Sequence, residues 1–167
     1  MRILVTGISG YIGHALAPRL VAAGHEVRGL SRRPEAVDAA GVEVVRGDAV
    51  SGEGLGAAFD DVDVAYYLIH SMEPGANGEA FPARERRAVG HVVEAARAAG
   101  VRRIVYLGGL VPADHAASPH LGSRLAVEEV LLEGVPDAVV MRASIIIGAR
   151  SRSFRFLVRL IERLPLL

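Results

Sequence analysis

Cysteine, lysine, tryptophan and glutamine are absent from this chain of 167 residues, and Asn77 is its only asparagine. Without cysteine there is no disulfide framework, thiolate metal site or cysteine nucleophile, and without lysine no Schiff-base amine. Charge of one sign is also missing. The 19 basic residues, all arginine, balance 19 acidic ones. That balance removes the electrostatic footprint of a nucleic-acid-binding protein, so no nucleic-acid partner is expected. No uncharged run approaches the ~18 residues of a membrane span. The opening MRILVTGISG turns glycine-rich too early for the hydrophobic part of a signal peptide. A cytoplasmic location with no membrane role is the expectation, and the lack of cysteine is compatible with it.

What is present is material for a core. With 51% hydrophobic and 23% charged residues, the chain reads as one packed domain over residues 1–167. Short apolar runs at 2–6, 26–30, 42–46, 62–69, 103–107 and 137–142 read as strands. Between them lie helical patterns at 11–23, 79–99 and 120–133, shorter ones after Pro34 and over 52–59, and a last one at 153–164. Residues 71–78 and 108–119 read as loops. Such alternation, with strands apolar nearly throughout, predicts an α/β fold whose parallel sheet is covered on both faces. Right-handed crossovers then give a doubly wound, Rossmann-type sheet of strand order 3-2-1-4-5-6.

The first strand runs into Thr6-Gly7-Ile8-Ser9-Gly10-Tyr11-Ile12-Gly13, a TGxxGxxG sequence that opens the first helix. In a dinucleotide-binding turn the first glycine allows the tight turn, the second lets the backbone approach a pyrophosphate, and the third lets helix and strand pack closely. The helix start then offers unpaired N–H groups to phosphate. Gly7, Ser9, Gly10, Tyr11, Ile12 and Gly13 are therefore the expected phosphate contacts, the alternative being a purely structural turn.

An NAD site usually has an acid at the end of the second strand; here that stretch is Ser31-Arg32-Arg33. A hydroxyl and two guanidinium groups suit a 2′-phosphate. NADP(H) is the expected cofactor, with NAD(H) the alternative if the arginines are only a solvated turn. Asp48, followed by Ala49 after the third strand, either reaches the adenine edge or caps the next helix.

These residues, together with YYLIHSM at 66–72, IVYLGGL at 104–110 and RASIIIG at 142–148, resemble the short-chain dehydrogenase/reductase superfamily across essentially the whole chain. The likeness is to its atypical branch of NmrA-like and nucleoside-diphosphate-sugar epimerase-like proteins. The resemblance implies that Leu68, Ile69 and His70 flank the nicotinamide side of the cleft, with Gly108 and Gly109 opposite and Ala143 and Ser144 closing its end. Active members use a YxxxK pair on the helix after the fifth strand. Aligned on that helix, this chain has His120 in the Tyr position and Arg124 in the Lys position. The resemblance thus makes His120 the candidate proton donor, unless it is only a surface residue at the helix start, and Arg124 the candidate ribose ligand. Tyr67 and His70 are further candidate donors.

Asp114, His115 and His120 lack a matched third ligand or helical spacing, so no metal site is expected; His91 reads as a packing or surface residue. The last helix carries apolar residues at helical spacing among Arg152, Arg155, Arg159 and Arg163. Relatives of this kind continue past this point with a substrate-binding part, so the chain is expected to be the nucleotide-binding part of a longer protein. An apolar helix left uncovered favours self-association, and a homodimer is the expected assembly. Two functions follow from the resemblance: an NAD(P)-dependent reductase or epimerase-like oxidoreductase without the usual Tyr–Lys pair, or a non-catalytic NADP(H) sensor that binds a protein partner. The small-molecule substrate is not legible.

Overall fold

Six apolar runs form the strands β1 (Arg2–Thr6), β2 (Glu26–Ser31), β3 (Val42–Arg46), β4 (Val64–Tyr67), β5 (Arg103–Gly109) and β6 (Val139–Ala143). The helices are α1 (Tyr11–Ala22), α2 (Leu55–Phe59), α3 (Phe81–Ala98), α4 (Pro119–Gly134) and α5 (Arg152–Arg163), with a 3-10 turn at Pro34–Ala36. This computed structural model describes residues 1–70, 80–111 and 118–164, apart from the side chains of Pro119, Arg152 and Ser153. The expected loop over 71–78, and Asp114 and His115, lie outside the described residues.

All strands are parallel and lie in one sheet of order β3-β2-β1-β4-β5-β6, the order that the alternating pattern predicts. Because side chains alternate across a strand, β1 feeds both faces. Leu4 enters a large core with Phe59, Val89, Val92, Ile104 and Leu131, built mainly by α2, α3 and α4. Ile3 and Val5 join Ile8, Ala17 and Val27 in a smaller core beneath α1. Among the described residues, no helix is long and apolar enough to cross a membrane.

Element boundaries shift where backbone geometry overrides the apolar pattern. The expected strand over 62–69 is shorter because its ladder with β1 ends at the pair Thr6–Tyr67, where Gly7 turns away at φ +71°. The fifth strand is longer than expected, since Gly108 and Gly109 still pair with Arg142 and Ala143. The helix expected over 52–59 begins only at Leu55, after Gly52 and Gly54 adopt left-handed conformations. At the end of α3, Gly100 takes φ +71°, and the Val101 N–H donates back to the Ala96 carbonyl at 2.8 Å. That closure satisfies carbonyls that the helix end leaves free.

Candidate functional site

The C-terminal edge of the sheet is organised by the turn between β1 and α1. A Cβ on Gly7 would lie 2.9 Å from the Leu68 carbonyl oxygen, and one on Gly13 would overlap the Gly7 carbonyl and the Ile8 backbone. The Gly10 N–H donates to the Gly7 carbonyl at 2.9 Å, closing the turn. Ile8, fully buried, nests over Gly29 of β2, where a Cβ would come within 2.9 Å of its side chain. The start of α1 is left clear: no side chain caps it and no acid lies in its first turn. By contrast, Ser118 caps α4, accepting from the Leu121 N–H at 3.3 Å, and Ser151 caps α5, accepting from the Phe154 N–H at 3.4 Å. Ser9 and Gly10 are exposed, while Gly13 is buried against the strand.

Thr6 is a site residue that sequence reading passed over. Fully buried, its hydroxyl donates to the Tyr66 carbonyl at 3.0 Å and accepts from the Leu68 N–H at 3.2 Å. It ties the end of β1 to the segment leaving β4 and so fixes Leu68, Ile69 and His70 beside the glycine turn. Its position as the last strand residue before Gly7 was the available signal. Tyr11 is more than a turn residue: the backbone of Gly148 lies against its ring so closely that a Cβ there would overlap the hydroxyl. Tyr11 thereby joins the start of α1 to the segment after β6.

At the end of β2, Ser31 is buried and accepts from the Arg33 N–H at 3.1 Å, while its carbonyl accepts from the Gly47 N–H at 3.0 Å. Arg32 and Arg33 are exposed, and neither guanidinium has a partner among the described residues. The nearby acid, Glu35, is occupied by Arg46 at 3.0 Å, and Arg46 also donates to the Arg32 carbonyl at 3.0 Å. Arg46 went unremarked in the sequence, although in register it is the partner of Ser31.

Asp48 does not cap α2, whose N-cap position is Gly54. Its Oδ1 instead accepts from the Val50 N–H at 2.8 Å, an Asx turn that satisfies the carboxylate locally. The Ala49 side chain is buried in the larger core, and its carbonyl meets His91 Nδ1 at 3.1 Å. His91 therefore secures this loop to α3. No group of three metal-ligating side chains occurs among the described residues.

The helix aligned with the YxxxK segment separates its two key positions. His120, in the first turn of α4, stacks on Phe81 at the start of α3, with ring centroids 5.2 Å apart and planes at 23°. One turn on, Arg124 is 7% exposed and its Nη1 donates to Nδ1 of His70. Burial lowers the Arg124 pKa, against the opposing influence of Tyr67. The approach of α4 to β5 depends on Gly109, where a Cβ would sit 3.0 Å from Leu121 and 4.0 Å from the Arg124 stem. Gly108 is likewise closed in by the Tyr106 ring at 3.1 Å.

Around Arg124 lies a polar cluster of which only Tyr67 and His70 are legible as candidates in the sequence. Ser123 donates to buried Glu85 at 2.6 Å. Tyr67, 2% exposed, belongs to the core and not to an open cleft. Burial first, then Glu85 and the Tyr106 phenol, push it above the usual phenol range, with Arg124 opposing. Burial likewise raises Tyr106, helped by Glu85 and Glu128, and its hydroxyl has no hydrogen-bond partner among the described residues. Beyond it, Arg142 on β6 makes a two-pronged ion pair with Glu128 at 2.6 and 3.1 Å. Glu85 on α3 and Ser123 on α4 could not be paired from sequence, being 38 positions apart.

A family model described as NAD(P)H-binding matches residues 7–135, from the first glycine of the turn to the end of α4. The chain belongs to this NAD(P)H-binding family. A 3-diazoavenalumate denitrifying reductase of a Streptomyces species is 40% identical over 117 residues, covering 63% of this chain and 36% of that protein. A 2-alkyl-3-oxoalkanoate reductase of Shewanella oneidensis is 29% identical over 103 residues, 61% of this chain and 27% of that one. Among solved structures, the Citrobacter triphenylmethane reductase complexed with NADP(H) superposes with a TM-score of 0.71 at 26% identity, covering 87% of this chain and 50% of that one. An Agrobacterium tumefaciens short-chain dehydrogenase/reductase superfamily protein with bound NAD gives 0.69 at 28% identity, covering 85% and 48%. The family match and these two superpositions agree with the sheet order in giving the chain the fold of that superfamily. The chain spans roughly a third of the length of these curated relatives.

Proposed function

We propose that this chain binds NADP(H) across the C-terminal edge of its sheet, as the dinucleotide-binding part of an oxidoreductase of the atypical short-chain dehydrogenase type. The observation that carries the reading is the β1–α1 turn: backbone packed so closely at Gly7 and Gly13 that no Cβ fits, beside an uncapped helix start. Such a turn suits a pyrophosphate, whose charge the helix N-terminus favours. Gly7, Ser9, Gly10, Tyr11, Ile12 and Gly13 would hold it.

Ser31, Arg32 and Arg33 would receive the 2′-phosphate. Two guanidinium groups without carboxylate partners among the described residues, on the strand end where an NAD site keeps an acid, favour NADP(H) over NAD(H). Asp48 and the Ala49 backbone would border the adenine. Leu68, Ile69, His70 and Gly108 would border the nicotinamide, and Arg124 would reach the adjoining ribose with the N–H groups that His70 leaves free. When bound, the dinucleotide supplies hydride exchange at its nicotinamide ring. His120, one turn before Arg124, would supply a proton at the cleft entrance from its stacked position on Phe81.

A second reading, an NADP(H)-responsive subunit without turnover, draws on the exposed apolar side chains Met141, Ile147 and Phe156, which suit a protein partner. Fluorescence titration with NADPH and NADH tests the binding reading, and failure of both to saturate would overturn it. Steady-state oxidation of NADPH over a panel of carbonyl and quinone acceptors separates the two functions. Turnover that survives His120→Phe removes His120 from the chemistry.

A further inference from the structure

The polar cluster between β4, β5, α3 and α4 contains an arrangement that the glycine cradle does not explain. Arg124 is almost fully buried, yet it has no carboxylate partner among the described residues; what it engages is the Nδ1 atom of His70. A guanidinium can only donate, and it stays protonated throughout the physiological range. The contact therefore fixes His70 Nδ1 as the acceptor. In the neutral ring the hydrogen must then lie on Nε2. His70 is exposed, and its Nε2 has no partner among the described residues. Its ring stands edge-on to Tyr106 at a centroid distance of 6.4 Å and 71°, which limits its swing on that side.

The position of this donor follows from the backbone. Leu68, two residues before His70, is held by the Thr6 hydroxyl, and its carbonyl closes against Gly7. A dinucleotide whose pyrophosphate lies on the Gly7 turn directs its next half over the end of β4, where His70 stands. The geometry points to His70 as a fixed neutral hydrogen-bond donor, locked by Arg124, whose Nε2–H is offered to the carboxamide oxygen of the bound nicotinamide. Arg124 is then a positioning residue, acting through His70, so the Lys position of the superfamily serves here to set a histidine tautomer. This inference rests on the proposed dinucleotide site for its ligand but not for the tautomer.

Nitrogen-15 NMR of histidine-labelled protein tests it. In the free protein the Nε2–H form of His70 should exceed the Nδ1–H form by about tenfold or more, as a hydrogen bond to a charged donor implies. Arg124→Met should lower that ratio several-fold, and Arg124→Lys, which restores a donor, should recover it in part. A ratio unchanged by Arg124→Met, or an Nδ1–H ring in the native protein, overturns the lock; the native measurement decides even if Arg124→Met does not fold. Saturating NADPH should move the Nε2–H resonance downfield, whereas 2′-phospho-ADP-ribose, which lacks the nicotinamide, should not. NADPH that binds without moving it overturns the assigned ligand. NADPH that does not bind at all defeats the proposed function, while the tautomer ratio still reports on the lock.

Discussion

The two flanks of the sheet are built on different terms. Around β1, β2 and α1 the backbone approaches itself so closely that Gly7 and Gly13 have no room for a methyl group, and the Ile8 side chain fills that room at Gly29. At the other flank, Val139 and Met141 of β6, Ile145 and Ile147 beyond it, and Phe156, Leu160 and Ile161 of α5 are all exposed apolar residues. The α5 helix packs only weakly against the rest. The contrast separates two uses of the same fold. The first flank spends its tolerance for substitution on backbone shape, which suits recognition of a ligand common to many enzymes. The second leaves apolar side chains exposed on β6 and α5.

That contrast can be broken most sharply at Gly13. Gly13→Val would drive a side chain into the Gly7 carbonyl and the Ile8 backbone, and overpacking of this kind should cost about 3 kcal/mol in urea unfolding. NADPH affinity should be lost with it. Next in size, replacing Arg32 and Arg33 together by alanine should lower the NADPH-to-NADH affinity ratio by about 10- to 100-fold, the range for charged hydrogen bonds to a phosphate. An unchanged ratio means that the 2′-phosphate is not read there.

Alkaline unfolding probes the ground between the flanks. Tyr67 and Tyr106 titrate higher when folded than when unfolded. Their contribution is complete below the ordinary phenol value near 10 and is lost as pH rises above it, because the unfolded chain then releases protons that the folded one keeps. Each tyrosine should steepen the loss by up to about 1.4 kcal/mol per pH unit. Tyr106→Phe should reduce that slope. The same variant should leave stability at neutral pH unchanged or raise it by about 1 kcal/mol, since it removes a buried hydroxyl without a partner among the described residues; a loss of that size would reveal an unrecognised bond. Smaller still, Phe156→Ser on α5, 69% exposed, should move stability by no more than about 0.5 kcal/mol. A larger loss, or a fall in sedimenting mass, would mean that a second copy covers α5 in solution, as expected of a homodimer.

Much of the first flank was legible because its signals are local. Periodicity marked the strands, and the glycine spacing marked the turn. Right-handed crossovers then left one strand order, which the sheet adopts. Even Pro18, inside α1, did not mislead: the apolar face over the smaller core outweighs the lost backbone bond. Where local signals compete, sequence reading was weaker. Asp48 offered either an adenine contact or a helix cap, and the cap went to no side chain: Gly54 takes the N-cap position while Asp48 closes an Asx turn. The cluster of Glu85, Ser123, Arg124 and His70 stayed unread because its members come from α3, α4 and the end of β4, and no spacing rule connects them.

The sequence by itself determined the parallel sheet, its strand order and the family, because each depends on short-range pattern and on glycines that nothing else can replace. It also determined that no Tyr–Lys pair exists, since a chain without lysine cannot hold one. Only the tertiary structure decided what stands in that place. Arg124 donates to His70, a partner 54 residues away. A buried guanidinium needs an acceptor, and the packing of α4 against Gly109 brings His70 within its reach.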